Sequence, residues 1–297
     1  MFTLRQYLLA LLDSRGLTRT LGEIDVCRDE QGRPCFSAGN SAAVFRIRLG
    51  GRIRSLRCYL RPMRHLKEIY GQRLLEKELY LHTSPETGVW VDTVLGNWIE
   101  GSTLHETVAQ AAALRDRESL QILVRLFDRL ALALVTDDRA HGDLKPENII
   151  VGDDGTLCPI DFDASYLPAF AGEISPELGT AAYQHPARTA ADFDERIDDY
   201  PAALISTALH ALAEDPTLWD RYGSSDGLLY TPQRIASDPA YRETLALFEK
   251  RGMAVQYRIA QLLTAPTLRL FGLAELLAEA VREKPAARSG MEAETPE

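Results

Sequence analysis

One stretch, residues 141–151, limits what this chain can fold into more than any other feature of the sequence. It reads His141-Gly142-Asp143-Leu144-Lys145-Pro146-Glu147-Asn148-Ile149-Ile150-Val151, and Ile160-Asp161-Phe162-Asp163 follows shortly after it. Polar residues leading into a short apolar run predict a loop between a helix and a strand. Such a loop offers a carboxylate, an ammonium group and an amide, and a second strand ends in a further acid. These groups suit the holding of a Mg-nucleotide and the orientation of a hydroxyl group for phosphoryl transfer.

The polar positions of this stretch resemble the catalytic loop of the protein kinase superfamily, H-x-D-x-K-P-x-N, followed by the aspartate of its D-F-G motif. The matching residues are His141, Asp143, Lys145, Asn148 and Asp161. The resemblance implies that Asp143 is the catalytic base and that Lys145 faces the transferred phosphoryl group. It also implies that Asn148 and Asp161 supply oxygen ligands to the Mg²⁺ of bound ATP. His141 is expected to be structural.

The resemblance continues, with departures, into the residues expected to bind the nucleotide. The glycine-rich pattern G-x-G-x-x-G-x-V, laid over residues 37–44, keeps only Gly39 and Val44. The A-x-K pattern of the third strand reads Ser55-Leu56-Arg57. Arg57 is therefore expected to face the α- and β-phosphates, although a planar guanidinium is not interchangeable with a lysine ammonium group.

Two acids near these departures have alternative interpretations. The family's helix glutamate, which pairs with the residue at position 57, corresponds to Glu68 or Glu76, and Glu68 is favoured because it lies inside the predicted helix. Asp163 replaces the glycine of D-F-G, and it either caps the next turn or joins the metal site, with the cap favoured.

Later motifs are expected to support the catalytic loop. The run from Gly179 to Ala187 resembles G-T-x-x-Y-x-x-P-E, which implies that Thr180 bonds Asp143, whereas the final glutamate is absent. Of two adjacent acids that open a helix, we expect Asp199 to brace the loop from below. Gly142 replaces the arginine that many kinases carry, so any activity is expected to be independent of phosphorylation of the activation segment.

The arrangement of predicted elements favours an α+β, two-lobed, protein-kinase-like fold. Residues 1–35 form an N-terminal helix, predicted over 3–15, and an extension. Residues 36–99 form a small β-rich lobe that contains a hairpin turning at Gly50-Gly51, a helix over 63–75 and strands over 77–83 and 89–98. Residues 100–282 form a larger helical lobe with helices over 103–114, 117–136 and much of 198–280. Residues 283–297 are rich in Pro, Glu and Ala and are expected to be a disordered tail.

The composition of the chain limits the kinds of molecule that it is expected to bind. The net charge of −10 argues against general nucleic-acid binding, and no apolar run approaches the length of a membrane span. Four cysteines without a Cys-x-x-Cys spacing predict reduced thiols in a cytoplasmic protein. Residues 51–75 nevertheless carry seven basic side chains against one acid, Glu68. This basic segment is either a solvated surface or a docking site for an acidic partner.

These observations favour ATP- and Mg²⁺-dependent phosphoryl transfer to Ser or Thr hydroxyl groups of protein substrates. Lys145, followed by Pro146, favours proteins over small molecules as substrates. Two alternatives stay open. A nucleotide-binding pseudokinase or signalling scaffold is compatible with Arg57, with Asp163 and with the incomplete glycine-rich pattern over residues 37–44. A small-molecule kinase is compatible with the His-Gly-Asp sequence at 141–143.

Overall fold

Residues 1–282 are described by the computed structural model of this chain, and they fall into two units. The first unit contains residues 1–101, 152–154 and 160–165, and the second contains residues 102–151, 155–159 and 166–282 as far as the chain is described. The segment 283–297, for which a disordered tail is expected, lies outside the described residues. The domain boundaries placed after residues 35 and 99 stay predictions.

The first unit is built on an antiparallel sheet. Its strands are β1 (Asp25–Val26), β2 (Phe36–Ala38), β3 (Ala42–Leu49), β4 (Arg52–Tyr59), β5 (Leu74–His82) and β6 (Gly88–Asn97). The sheet order is β1-β3-β4-β6-β5, and β2 also pairs with β3. The predicted hairpin is confirmed: β3 and β4 pair from Ala42 with Tyr59 to Leu49 with Arg52. Gly50 and Gly51 both have positive φ, as a two-residue turn of this kind requires.

An N-terminal helix, α1 (Leu4–Leu12), covers one face of this sheet. A capping box between Thr3 and Gln6 satisfies its first backbone N–H groups. Tyr7 and Leu11 are buried with alternate β3 residues such as Phe45, and the Tyr7 hydroxyl donates to the carbonyl of Tyr59 at 2.6 Å. The predicted helix over 3–15 is therefore confirmed in place, although it is shorter.

The helix predicted over 63–75 is largely wrong in extent. The structure has only α2 (Leu66–Tyr70), which begins after a left-handed His65 and ends at Gly71 with φ of +53°. A single turn of 3-10 helix follows, and β5 has already begun at Leu74. The positive φ of Gly71 is the physical reason, because continuing helix residues need negative φ.

The second unit is helical. Its α-helices are α3 (Leu104–Ala113), α4 (Arg117–Thr136), α5 (Asp199–Glu214), α6 (Leu218–Tyr222), α7 (Pro239–Arg251), α8 (Ala254–Leu262) and α9 (Leu273–Arg282). Short strands β7 (Gly101–Thr103), β8 (Ile149–Gly152) and β9 (Leu157–Pro159) form a small sheet. The helix predicted over 117–136 is confirmed as α4, and its Leu120, Leu123 and Phe127 lie in the core of the unit. The predicted α+β class is confirmed by these two units.

Within residues 1–282, none of the helices combines the length and the apolar character that crossing a lipid bilayer demands.

Candidate active site

The loop over residues 141–148 is held in place at both of its ends. It begins after Ala140, whose backbone exchanges hydrogen bonds with Tyr166 at 3.1 and 2.9 Å. It ends in a 3-10 turn, Pro146–Asn148, from which β8 continues. Gly142 has φ of +81°, a conformation that favours glycine. The local sequence thus produces a short, fixed loop at the start of a strand, as expected.

A buried carboxylate braces this loop from below, and it belongs to Asp198. The backbone N–H groups of His141 and Gly142 both donate to it, the second at 3.0 Å. Burial raises the pKa of Asp198 although these hydrogen bonds act to lower it. The expectation that Asp199 has this role is wrong, because its carboxylate accepts from the backbone N–H of Leu270 at 3.1 Å. The two acids are neighbours at the start of α5 and so point in different directions around the helix axis.

The carboxylate of Asp143 is fixed by three donors from the same unit. Its Oδ1 accepts from the backbone N–H of Thr180 at 2.6 Å. Its Oδ2 lies 3.2 Å from Nδ2 of Asn148 and 3.3 Å from Nζ of Lys145. The structure thus brings together the three residues of this loop that the sequence nominates. A carboxylate held in one orientation is suited to orient a hydroxyl group and accept its proton.

Thr180 bonds Asp143, as the resemblance implies, and it also contacts Lys145. Its backbone, not its hydroxyl, bonds Asp143, and the hydroxyl accepts from Nζ of Lys145 at 2.8 Å. Gly179 permits this approach, because a Cβ atom there would lie 2.8 Å from the carbonyl oxygen of Gly142. The same added atom would lie 3.0 Å from Oδ1 of Asp143.

In the first unit, Arg57 lies within a cluster of acids and tyrosines. Its Nε and Nη2 donate to Oδ2 of Asp163 at 3.0 and 2.6 Å, and Nη2 also pairs with Oδ1 of Asp161. The other carboxylate oxygen of Asp163 accepts from the hydroxyls of Tyr59 and Tyr70 at 3.1 and 2.6 Å. Burial acts to lower the pKa of Arg57, but the two carboxylates more than offset it and the net shift is upward. Arg57 therefore stays charged.

Comparison with known proteins gives short, partial matches. No family model matches the chain. The chain is 28% identical over 172 residues to CBL-interacting protein kinase 17 of Oryza sativa subsp. japonica, covering 55% of this chain and 35% of that protein. It is 34% identical over 113 residues to the serine/threonine-protein kinase PknL of Mycobacterium tuberculosis, covering 36% of this chain and 27% of that protein. The chain thus spans between about a quarter and about a third of the length of these curated relatives. The chain is divergent and protein-kinase-like.

In this kinase-like chain the expected partner of Arg57 is corrected. Glu68 lies on α2 with its side chain exposed, and Glu76 pairs with Lys67 at 3.5 Å. Arg57 instead pairs with Asp161 and Asp163. The physical reason is that α2 has little more than one turn, so no long helix carries a glutamate to β4.

Neither expected role of Asp163 is present. Its side chain is only 3% exposed, and its carboxylate accepts from Arg57, Tyr59 and Tyr70. It therefore does not cap a turn, and its lone pairs are already committed to donors. Asp161 differs, because 39% of its side chain is exposed and only one of its oxygens is paired with Arg57.

The residues expected to hold Mg²⁺ keep oxygen atoms available for it. Asn148 uses its Nδ2 hydrogens on the backbone and side chain of Asp143, which leaves its carbonyl oxygen as an acceptor. Asp161 retains an exposed carboxylate oxygen, and oxygens of these two kinds suit a hard cation. Among residues 1–282, no cluster of three or more His, Cys, Asp or Glu side chains is placed to hold a metal. Asn148 and Asp161 thus each keep the kind of oxygen atom that the expected metal role requires.

The glycine-loop residues occupy a tight turn and a strand. The backbone N–H of Gly39 donates to the carbonyl of Ala42 at 2.9 Å, joining β2 to β3. An added Cβ at Gly39 would meet nothing closer than 3.9 Å, so no local clash demands glycine there. Val44 lies directly opposite Arg57 in the register of β3 and β4. The structure thus brings Val44 and Arg57 together on one face of the sheet.

Arg188 also lies at this site, although it was not predicted from the sequence. The arginine donates from Nη1 to the carbonyl oxygen of Gly142 at 3.0 Å and to the side chain of Gln184. It is 8% exposed, and burial lowers its pKa against the opposing effect of Asp198 and other acids. No sequence motif includes Arg188, and the only feature that could have pointed to it is its position two residues after Pro186.

Proposed function

We propose that this chain transfers a phosphoryl group from Mg-ATP to Ser or Thr hydroxyl groups of proteins. The observation that carries the proposal is the carboxylate of Asp143, fixed by the backbone of Thr180 and by the side chains of Asn148 and Lys145. The partial likeness to two protein kinases supports phosphoryl transfer in general and protein substrates in particular.

Each residue has one task in this proposal. Asp143 orients the attacking hydroxyl and receives its proton as the new O–P bond forms and the bond from the γ-phosphorus to the bridging oxygen breaks, with ADP as the leaving group. Lys145 holds positive charge where the transferred group gains negative charge. Asn148 and Asp161 provide oxygens for Mg²⁺, and Arg57 provides positive charge for the nucleotide phosphates. Bound Mg-ATP supplies the phosphoryl group and the metal that offsets its charge.

The proposed function also includes a cellular location and a kind of protein partner. Cys27, Cys35, Cys58 and Cys158 are all free thiols, which fits a reducing cytoplasm. An acidic protein partner fits the basic segment 51–75, of which Arg52, Arg64 and Arg73 are exposed. Arg57 does not belong to that surface, because it is committed to Asp161 and Asp163.

A nucleotide-binding pseudokinase is the second candidate, and one observation favours it. Arg57 occupies one oxygen of Asp161, the residue proposed to bind the metal. A chain that binds Mg-ATP without turning it over would fit this ion pair.

The test separates binding from transfer. Thermal shift measures Mg-dependent stabilisation by ATP, and radiolabelled ATP measures transfer to the chain itself and to a generic basic protein. We expect Asp143→Asn to lower transfer by at least ~100-fold while ATP binding persists, as befits loss of a general base. Asp161→Asn should abolish the Mg-dependent thermal shift.

Asp153→Asn is the matched control, because Asp153 is an exposed turn residue between β8 and β9. It should change neither measurement. Binding without any transfer by the unmodified chain would replace the kinase proposal with the pseudokinase. Transfer that survives Asp143→Asn would refute the role of this carboxylate.

A further inference from the structure

Two departures from the kinase pattern meet in space within the first unit. Arg57 stands where the pattern has lysine, and Asp163 stands where it has glycine. They lie 106 positions apart in the chain, yet Nε and Nη2 of the arginine both donate to Oδ2 of the aspartate. A lysine carries its donors on one nitrogen and could not present this side-on fork.

The hydrogen bonds of Arg57 leave one end of its guanidinium uncommitted. The group has five N–H donors. Three of them point to Asp161 and Asp163, one from Nε and two from Nη2. Among the described residues Nη1 has no hydrogen-bond partner, and it is not among the polar atoms that are both buried and unsatisfied. Two N–H donors on a fixed cation are thus available to an anion.

The aspartate is itself anchored from the side away from the arginine. Tyr59 on β4 and Tyr70 at the end of α2 donate their hydroxyls to Oδ1 of Asp163. Burial raises the pKa of both tyrosines, and Asp163 adds to this effect while Arg57 opposes it, so both remain protonated donors. The carboxylate accepts two bonds on each oxygen and cannot rotate without losing several of them.

We propose that Asp163 is a positioning residue that fixes the guanidinium of Arg57, so that Nη1 binds an oxyanion of the polyphosphate class. Arg57 and Asp163 then act as one matched pair in place of a single lysine. The identity of the anion as a nucleotide rests on the function proposed above. The pairing itself and its effect on anion binding do not.

A double-mutant cycle on the full chain tests this pairing. The dissociation constants of Mg-ATP and of inorganic tripolyphosphate are measured for the unmodified chain, Arg57→Lys, Asp163→Asn and the double variant. We expect each single variant to weaken binding by about tenfold or more. We expect the double variant to bind no more than about threefold more weakly than the weaker single variant, because both changes break the same interaction.

Asp128→Asn is the matched control for loss of a buried acid. Asp128 is 2% exposed in the second unit and bonds Ser206 and His210, away from the proposed machinery. It should lower stability but leave both dissociation constants within about twofold. Unchanged binding in Asp163→Asn, or a double variant whose loss equals the product of the single losses, would overturn the pairing.

Should Asp163→Asn not fold, the variant Tyr59→Phe/Tyr70→Phe removes only the two hydroxyl donors. Its binding of tripolyphosphate should weaken by at least about threefold, and unchanged binding would overturn the proposal. The two proposals fail separately. If tripolyphosphate binding depends on Asp163 but ATP does not bind, the kinase function alone is refuted. Transfer that persists with unchanged affinity in Asp163→Asn refutes the pairing alone.

Discussion

Two adjacent acids at the start of α5, Asp198 and Asp199, differ in how fully their carboxylates are hydrogen-bonded. Asp198 accepts two backbone N–H groups of the catalytic loop. Asp199 accepts one, from Leu270, and its buried Oδ1 has no partner among the described residues. Burial raises the pKa of Asp199 to about 6. A charge at this position therefore opposes folding.

This shift predicts a pH dependence of stability. An ordinary aspartate has a pKa near ~3.9, so between about pH 4 and 6 the folded chain binds the proton more tightly than the unfolded chain. The contribution of Asp199 to the free energy of unfolding therefore falls as pH rises through this window, by roughly 3 kcal/mol. Asp199→Asn should remove that loss, so its stability relative to the unmodified chain should rise between pH 4 and 6.5 in urea unfolding.

Asp153→Asn, at an exposed turn, serves as the control and should leave the pH dependence unchanged. A constant difference between Asp199→Asn and the unmodified chain across this range would contradict the assignment.

At the residue scale, contacts between residues that are close in the sequence could be predicted, whereas contacts between residues far apart in the sequence could not. Asp143, Lys145 and Asn148 sit within six positions, so their spacing alone predicts their association. The contact of Arg57 with Asp163 depends on packing across 106 positions, and no local pattern encodes it. The hydrogen bonds of the Tyr59 and Tyr70 hydroxyls were likewise not predicted, because a tyrosine at the end of a strand or a short helix usually indicates only core packing.

At the scale of elements, turn chemistry was the most reliable guide. Gly50-Gly51 between two alternating runs predicted the hairpin of β3 and β4. The same reasoning failed at α2, where Gly71 ends the helix early. The difference is that a glycine pair between strands has one common solution, whereas a single glycine in a helical pattern has several.

The segment that carries Thr180 gives a prediction about one such glycine. Gly179→Ala should lower kcat/KM for phosphoryl transfer by at least about 100-fold, because the new Cβ would push the segment away from Gly142 and Asp143. Gly172→Ala is a matched control, since Gly172 also has positive φ, +85°, but an added Cβ there meets nothing within 4 Å. Its cost should be limited to about 1–2 kcal/mol of backbone strain. Equal losses of activity would show that backbone strain alone, and not the clash, is responsible.

At the scale of the whole molecule, regulation by phosphorylation of the segment before α5 would need a phosphate-binding side chain, and residues 1–282 offer no obvious one beside Gly142. Gly142 has no side chain to meet a phosphate. Arg188, the arginine that contacts Gly142, is 8% exposed, and its Nε and Nη2, which have no partner among the described residues, are buried out of reach of a surface phosphate. Treatment with a general protein phosphatase should therefore leave the transfer rate within about twofold of its starting value.

The measurement compares initial rates before and after treatment, with mass spectrometry to verify that any phosphate has been removed. The control is mock treatment with heat-inactivated phosphatase. Activity that disappears with the phosphate and returns after incubation with ATP would contradict the prediction.

Helix α1 has a consequence for any attempt to produce a shorter protein. Tyr7 and Leu11 shield the apolar side of the strands, and Glu78 on β5 receives three backbone N–H groups and one hydroxyl from residues 19–21. A fragment that starts at residue 36 would expose this apolar surface to water. It would also leave the buried carboxylate of Glu78 without its hydrogen-bond donors. Such a fragment should accumulate in inclusion bodies when it is expressed recombinantly. Residues 1–35 are therefore an integral part of the packing of this sheet.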